Sequence, residues 1–192
     1  LHKNILKIIN ENLSKKIKYN HLLRVALNKK IISISLRKRV SPKSNFDLKL
    51  VNLKREKPQY KNLKYKKILR HLSKMDNSKS DIGLVYKKMI LETGTSNLLF
   101  IGYNKIYTPT KGYYEGNTFK FIKSKIKKVI KKDIFIKDLK NYDEILLVGS
   151  GKGIASIKTI KQVGWKRKNL KKFKVLSKYY KSITNKCRPH RF

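Results

Sequence analysis

The sequence predicts a mixed α and β fold, and three observations carry that prediction. Stretches with apolar residues at helical spacing are interspersed along the chain with short runs that alternate or are continuously apolar. Hydrophobic residues make up 40% of the 192 positions and aromatic residues 10%, enough to bury a core. No internal repeat organises the chain, and no apolar run approaches the length that spans a bilayer.

Each element can be justified in order. KNILKIINENLSKK, residues 3–16, sets Ile5, Leu6, Ile8, Ile9 and Leu13 at helical spacing. HLLRVAL (21–27) and KIISISLRKR (30–39) read as strands, the second alternating Ile32, Ser33, Ile34, Ser35 and Leu36. SPKSNFD (41–47) gathers Pro, Ser, Asn and Asp and is the best linker candidate. LKLVNLKREKP (48–58) reads as extended, and YKKILRHLSKM (65–75) as a short helix. DIGLVYKKMIL (81–91) reads as one strand with a polar break at Lys87 and Lys88. LLFIGYNKIYTP (98–109) is a hairpin turning at Asn104. GNTFKFIKSKIKKVIKK (116–132) reads as a helix with Phe119, Ile122, Ile126, Val129 and Ile130 on one face. DLKNYDEILLVGSGKGIASIKTI (138–160) gives a polar segment, a buried strand, a glycine turn and another strand, and NLKKFKVLSKYYKSI (169–183) a final helix.

The charge balance is extreme: 50 Lys and Arg stand against 11 Asp and Glu, a net +39. Such a chain suits a polyanion partner. However, only eight of the basic residues are arginine, the residue suited to bidentate phosphate and guanine contacts. The lysines run the whole length beside abundant Ile and Asn, residues that share A/T-rich codons, so codon bias alone can produce this composition. The expectation is therefore no specific nucleic-acid partner. Cys187 is the single cysteine, which excludes an intramolecular disulfide and a cysteine-based zinc site. His2, His21, His71 and His190 lack ligand spacing, so no metal is expected. No signal peptide opens these residues, and a reducing cytoplasm is the expected location, with no membrane partner.

Four places could carry chemistry. Glu92, a rare carboxylate, ends an apolar run and precedes the small polar residues Thr93, Gly94, Thr95, Ser96 and Asn97. VGSGKGIASI (148–157) sets Gly149, Gly151 and Gly153 around Ser150. A strand rather than a helix follows, so it is no dinucleotide fingerprint, but its backbone N–H groups and hydroxyl suit an anion nest. YYEGNTFKFI (113–122) puts Gly116, Asn117 and Thr118 where a helix dipole favours phosphate, or where Asn117 or Thr118 simply caps the helix. QYKNLKYKKILRH (59–71) holds Lys61 between an extended stretch and a helix, where a desolvated lysine could act as an amine nucleophile. Composition alone does not single it out.

In this order, KNLKYKKIL, ILETGTSNLLFIGYNKIYTP, YYEGNTFKF and DEILLVGSGKGIASI resemble the class IV aminotransferases, enzymes that use pyridoxal 5′-phosphate. That family includes branched-chain and D-amino-acid aminotransferases and aminodeoxychorismate lyase. ETGTSNLLF with its later YTP is similar to the family's Glu-x-x-x-x-Asn-Leu/Ile-Phe and Tyr/Phe-Thr-Pro, and KNLKY to its Lys-x-Leu-Asn-Tyr. The likeness covers about residues 60–160. It implies a fold-type IV architecture, with residues 1–44 the remainder of a small N-terminal domain and 45–192 a large cofactor domain of mixed sheet and helices.

The resemblance also implies roles. Lys61 would be the Schiff-base lysine and catalytic acid and base, with Lys64 the second candidate. Glu92 would pair with the cofactor's pyridine nitrogen, and Gly116, Asn117, Thr118, Ser150 and Gly151 would hold its phosphate. It implies a homodimer acting on small molecules: either transamination of an amino acid with a 2-oxo acid, or release of pyruvate from aminodeoxychorismate to give 4-aminobenzoate for folate synthesis. A basic RNA- or ribosome-associated protein is the reading from another class. The sequence departs from the family at Lys64, where an Asn is usual, and at Phe119, where an Arg often stands. It opens on Leu1, and the expectation is that much of the small domain, with a phosphate-binding arginine, is missing.

Overall fold

Apolar residues at helical spacing near the N-terminus form α1 (His2–Asn12), which buries Ile9. Strands β1 (His21–Leu27) and β2 (Ile32–Lys38) follow as an antiparallel pair, in register from His21↔Lys38 to Leu27↔Ile32. Asn28 closes their turn, its Oδ1 accepting from the N–H groups of Lys30 at 2.8 Å and Ile31 at 2.7 Å. The computed structural model describes residues 2–14, 16, 19, 21–38 and 45–185. The chain separates into two units, Leu1–Val40 with Cys187–Phe192, and Ser41–Lys186.

The second unit is built on one sheet. Its elements are β3 (Asn45–Asn52), α2 (Lys66–Leu72), β4 (Ser80–Tyr86), β5 (Met89–Thr93), β6 (Asn97–Gly102) and β7 (Lys105–Thr108). Then come α3 (Asn117–Lys125), β8 (Val129–Lys131), β9 (Ile134–Phe135), β10 (Glu144–Gly149), β11 (Gly153–Ile160), β12 (Trp165–Lys166) and α4 (Lys171–Thr184). The strand order is β8-β7-β6-β10-β11-β3-β4-β5-β9, with β12 on β11. Pairs β11–β3, β3–β4 and β7–β8 are parallel and the others antiparallel, so the sheet is mixed.

This sheet must curl. β5 and β6 stand five places apart in it, yet only residues 94–96 join them. Five strand spacings would be about 24 Å in a flat sheet, whereas that connection reaches about 14 Å at full stretch. The Thr93 N–H donates to the Ser96 carbonyl at 2.9 Å, which closes the corner of the resulting half-barrel.

Both faces of the central strands are covered: every residue of β6 is buried, although successive side chains point to opposite faces. On β6, Leu98 and Phe100 join one cluster with Phe46, Leu48, Ile145, Leu147 and Ile157. Leu99 and Ile101 point the other way, to Phe119 and Ile122 of α3 and Leu176 of α4. Ile68 and Leu72 of α2 pack on Ile82 and Leu84 of β4. No helix among the described residues is long and apolar enough to cross a membrane.

Three sequence expectations need correction. Residues 81–91 are a hairpin, not one strand: Lys87 and Lys88 turn the chain with φ of 49° and 62°. The helix expected over 116–132 ends at Lys125, because Val129–Lys131 pairs with β7 from Ile106↔Val129 to Thr108↔Lys131. Of the expected linker, residues 41–44 lie outside the described residues, while Asn45, Phe46 and Asp47 belong to β3 and Phe46 is wholly buried. Strands β9 and β12, at two residues each, were too short to show a period.

Candidate active site

Glu92 lies on β5 with 3% of its surface exposed. Arg55, in the segment after β3, donates from Nε to Glu92 Oε1 at 2.6 Å, and its Nη2 reaches the Gly94 carbonyl at 3.4 Å. The Tyr114 N–H meets the other oxygen, Oε2, at 3.3 Å. Burial pushes the Glu92 carboxyl above its ordinary value, and the Arg55 guanidinium and the Tyr114 N–H oppose that shift. One oxygen is thus held by an arginine, and the other carries a single long hydrogen bond.

The corner after β5 extends this arrangement to α3. Asn97 begins β6, and its Nδ2 donates to the Tyr114 carbonyl at 2.6 Å, while its Oδ1 accepts from the Gly116 N–H at 3.1 Å. Gly116 caps α3 in extended conformation, without a side-chain capping bond, so neither Asn117 nor Thr118 is the cap. The backbone N–H groups of Asn117, Thr118 and Phe119 have no acceptor among the described residues. They sit at the positive end of the α3 dipole.

The glycine turn reaches the same place. β10 and β11 pair up to Gly149↔Gly153, leaving Ser150, Gly151 and Lys152 as the turn. Ser150 Oγ lies 3.0 Å from Thr118 Oγ1. A Cβ on Gly149 would come within 2.9 Å of Ser96 Oγ and 3.2 Å of the Thr95 carbonyl oxygen, so glycine lets β10 end this close to the corner without displacing Ser96.

Lys61 is exposed in the segment between β3 and α2. With Tyr60, Lys111, Tyr113, Tyr114 and Lys120 it lines an open cavity of about 660 Å³. Lys64 does not line it; the Lys64 N–H is bonded to Asn62 Oδ1 at 2.8 Å. The structure therefore links the sequence candidates. Tyr114 joins the Lys61 cavity to Glu92, Asn97 joins Tyr114 to Gly116, and Thr118 meets Ser150.

Sequence reasoning missed two of the groups involved. Asn97 belongs to the ETGTSNLLF motif, but nothing in the local pattern gives its amide a partner. Arg55 gives one faint signal, as one of only eight arginines among 50 basic residues.

A family model for amino-transferase class IV matches residues 2–160. No curated relative matches the chain by sequence. Among solved structures, a Legionella pneumophila protein assigned as a 4-amino-4-deoxychorismate lyase aligns with TM-score 0.72 at 18% identity, over 94% of this chain and 75% of its own. A branched-chain aminotransferase from Thermoproteus uzoniensis, solved with norvaline, aligns with TM-score 0.67 at 16% identity, over 83% of this chain and 60% of its own. A Brucella abortus aminotransferase bound to pyridoxal phosphate aligns with TM-score 0.60 at 18% identity, over 77% of this chain and 57% of its own. At these identities the structures establish the fold, a fold-type IV half-barrel, and this chain spans three-quarters or less of each. The match over residues 2–160 establishes more: the chain belongs to the class IV aminotransferases, a family of pyridoxal-phosphate-dependent enzymes.

Proposed function

We propose that residues 45–192 form the cofactor-binding domain of an aminotransferase that exchanges an amino group between an α-amino acid and a 2-oxo acid, of branched-chain type. Residues 1–44 are, on this reading, the remainder of a small domain, and the protein acts as a cytoplasmic homodimer. The observation that supports it most is Tyr114, whose residue lines the Lys61 cavity, whose N–H donates to Glu92 and whose carbonyl is tied through Asn97 to Gly116.

The residues present fit the cofactor. The free N–H groups of Asn117 and Thr118, the hydroxyls of Thr118 and Ser150 and the turn at Gly151 suit a phosphate ester. The Oε2 side of Glu92, short of strong donors, suits a protonated ring nitrogen. When bound, pyridoxal phosphate supplies an electron-withdrawing ring that takes up the electron pair left when a bond to the substrate α-carbon breaks. Glu92 keeps a proton on the ring nitrogen, and Arg55 fixes the orientation of its carboxylate. Lys61 removes the proton from the substrate α-carbon as a base and returns a proton as an acid.

A second reading, elimination of pyruvate from 4-amino-4-deoxychorismate, is favoured by Lys111 and Lys120 on the same cavity, two further cations for a substrate with two carboxylates. One assay tests both. The protein is loaded with pyridoxal phosphate and given either branched-chain amino acids with 2-oxoglutarate or 4-amino-4-deoxychorismate. A new amino acid supports transamination; 4-aminobenzoate with pyruvate supports the second reading. Lys61→Ala should lower whichever rate is found by about 10³-fold. A rate unchanged in that variant would overturn the assignment of Lys61.

A further inference from the structure

The cofactor reading leaves the buried ion pair of Asp81 and Lys152 without a role. Asp81, at 0% exposure, accepts four hydrogen bonds. Its Oδ1 takes the Ile82 N–H at 2.8 Å. Its Oδ2 takes Thr93 Oγ1 at 3.0 Å, Thr95 Oγ1 at 2.6 Å and Lys152 Nζ at 2.6 Å. The Lys152 side chain is 9% exposed, the most buried lysine among the described ion pairs, and its ammonium sits 4.6 Å from the centre of the Phe46 ring. The chain has surface lysines in abundance, so burying this one needs a reason. Stability is a weak one, since an apolar pair of similar volume commonly serves as well as a buried ion pair.

Position supplies the reason. Lys152 belongs to the turn that carries Ser150 and Gly151, and its N–H closes that turn on the Gly149 carbonyl at 3.1 Å. Thr93 and Thr95 belong to the corner between Glu92 and Asn97. The pair therefore straps the glycine turn to the corner at a second point, beside the close approach of Gly149 to Ser96. Asn97 in turn sets the N-terminus of α3. We propose that Lys152 and Asp81 are a positioning pair that holds the Ser150–Gly151 turn against the Thr93–Asn97 corner, so that the turn and the α3 N-terminus close on one phosphate group. This rests on the cofactor reading above.

The test measures equilibrium binding of pyridoxal phosphate and of pyridoxal, which lacks the phosphate, to the full chain. Asp81→Asn with Lys152→Met removes both charges and leaves neither buried alone; Lys152→Gln keeps a donor to Asp81 if that double variant does not fold, and Lys152→Arg tests rescue. In the wild type pyridoxal phosphate should bind more tightly than pyridoxal. In the double variant that preference should fall at least tenfold with the pyridoxal Kd within about twofold of wild type, in Lys152→Gln it should fall by less, and Lys152→Arg should recover much of it. A preference unchanged in the double variant, or in Lys152→Gln where the double variant does not fold, overturns the proposal. So does an equal weakening of both ligands, the mark of a purely structural pair. If the wild type binds neither ligand, or binds both equally, the cofactor reading itself fails and the positioning role falls with it.

Discussion

At the scale of single residues, the site turns on a carboxylate kept in an environment that disfavours its charge. Burial raises the Glu92 pKa, so the folded chain holds that proton more firmly than the unfolded chain does. The stability Glu92 contributes is then present below its ordinary value of 4.5 and is lost as the pH rises through the raised folded value. Glu92→Gln should therefore flatten the acid end of the Tm-against-pH profile of the cofactor-free protein. Fluorescence of the single tryptophan, Trp165, buried and donating to the Tyr142 carbonyl at 3.0 Å, can follow the melts. An unchanged profile would contradict the account of the Glu92 environment. Arg55→Met removes the partner that opposes the shift, and should cost about 3 kcal/mol at neutral pH, read from urea midpoints. Glu92 was legible as a candidate because carboxylates are rare here and this one follows an apolar run. Arg55 was not, because nothing local to LKREKP shows which way its side chain turns.

Among elements, turns decided what could be read. The β6–β7 hairpin was legible because its turn uses Asn104, and both Tyr103 and Asn104 take positive φ, 51° and 56°. The β4–β5 turn takes the same conformation with Lys87 and Lys88, residues with no preference for it, so the hairpin was read as a single strand. Lys88→Gly should relieve that strain and raise stability by roughly 1 kcal/mol, seen as a higher urea midpoint. A fall would mean that the lysine side chain does more than cross the turn. Gly102 gives the opposite case. A Cβ there would collide with the Asn141 carbonyl oxygen, a backbone atom, so Gly102→Ala should lose about 2 kcal/mol or more in the same assay. The overlong helix expected at 116–132 failed for a tertiary reason: helical spacing continues through Val129 and Ile130, but pairing with β7 claims them.

For the molecule as a whole, the mixed class was legible from alternating patterns, while the strand order was not. β3 lies between β4 and β11, although a hundred residues separate Asn52 from Gly153, and no local pattern encodes that. The curl that this order forces is what brings the β5–β6 corner, the α3 N-terminus and the glycine turn together. Motif order, read as a family resemblance, substituted for that missing geometry. Net charge, the most conspicuous feature of the composition, located none of these residues. Its effect belongs to the whole chain: added salt should raise the Tm by screening a net +39, and binding to RNA should be weak and fall away steeply with salt. Tight binding that discriminates among RNA sequences would contradict this.

The central claim, that Lys61 is the amine that meets the cofactor, is open to one direct measurement. The full chain is mixed with one equivalent of pyridoxal phosphate, reduced with borohydride and mapped by peptide mass spectrometry. The account predicts a phosphopyridoxyl group on Lys61 that disappears in Lys61→Ala and persists in Lys64→Ala. Label on Lys64, or label spread over surface lysines and unaffected by Lys61→Ala, would contradict it.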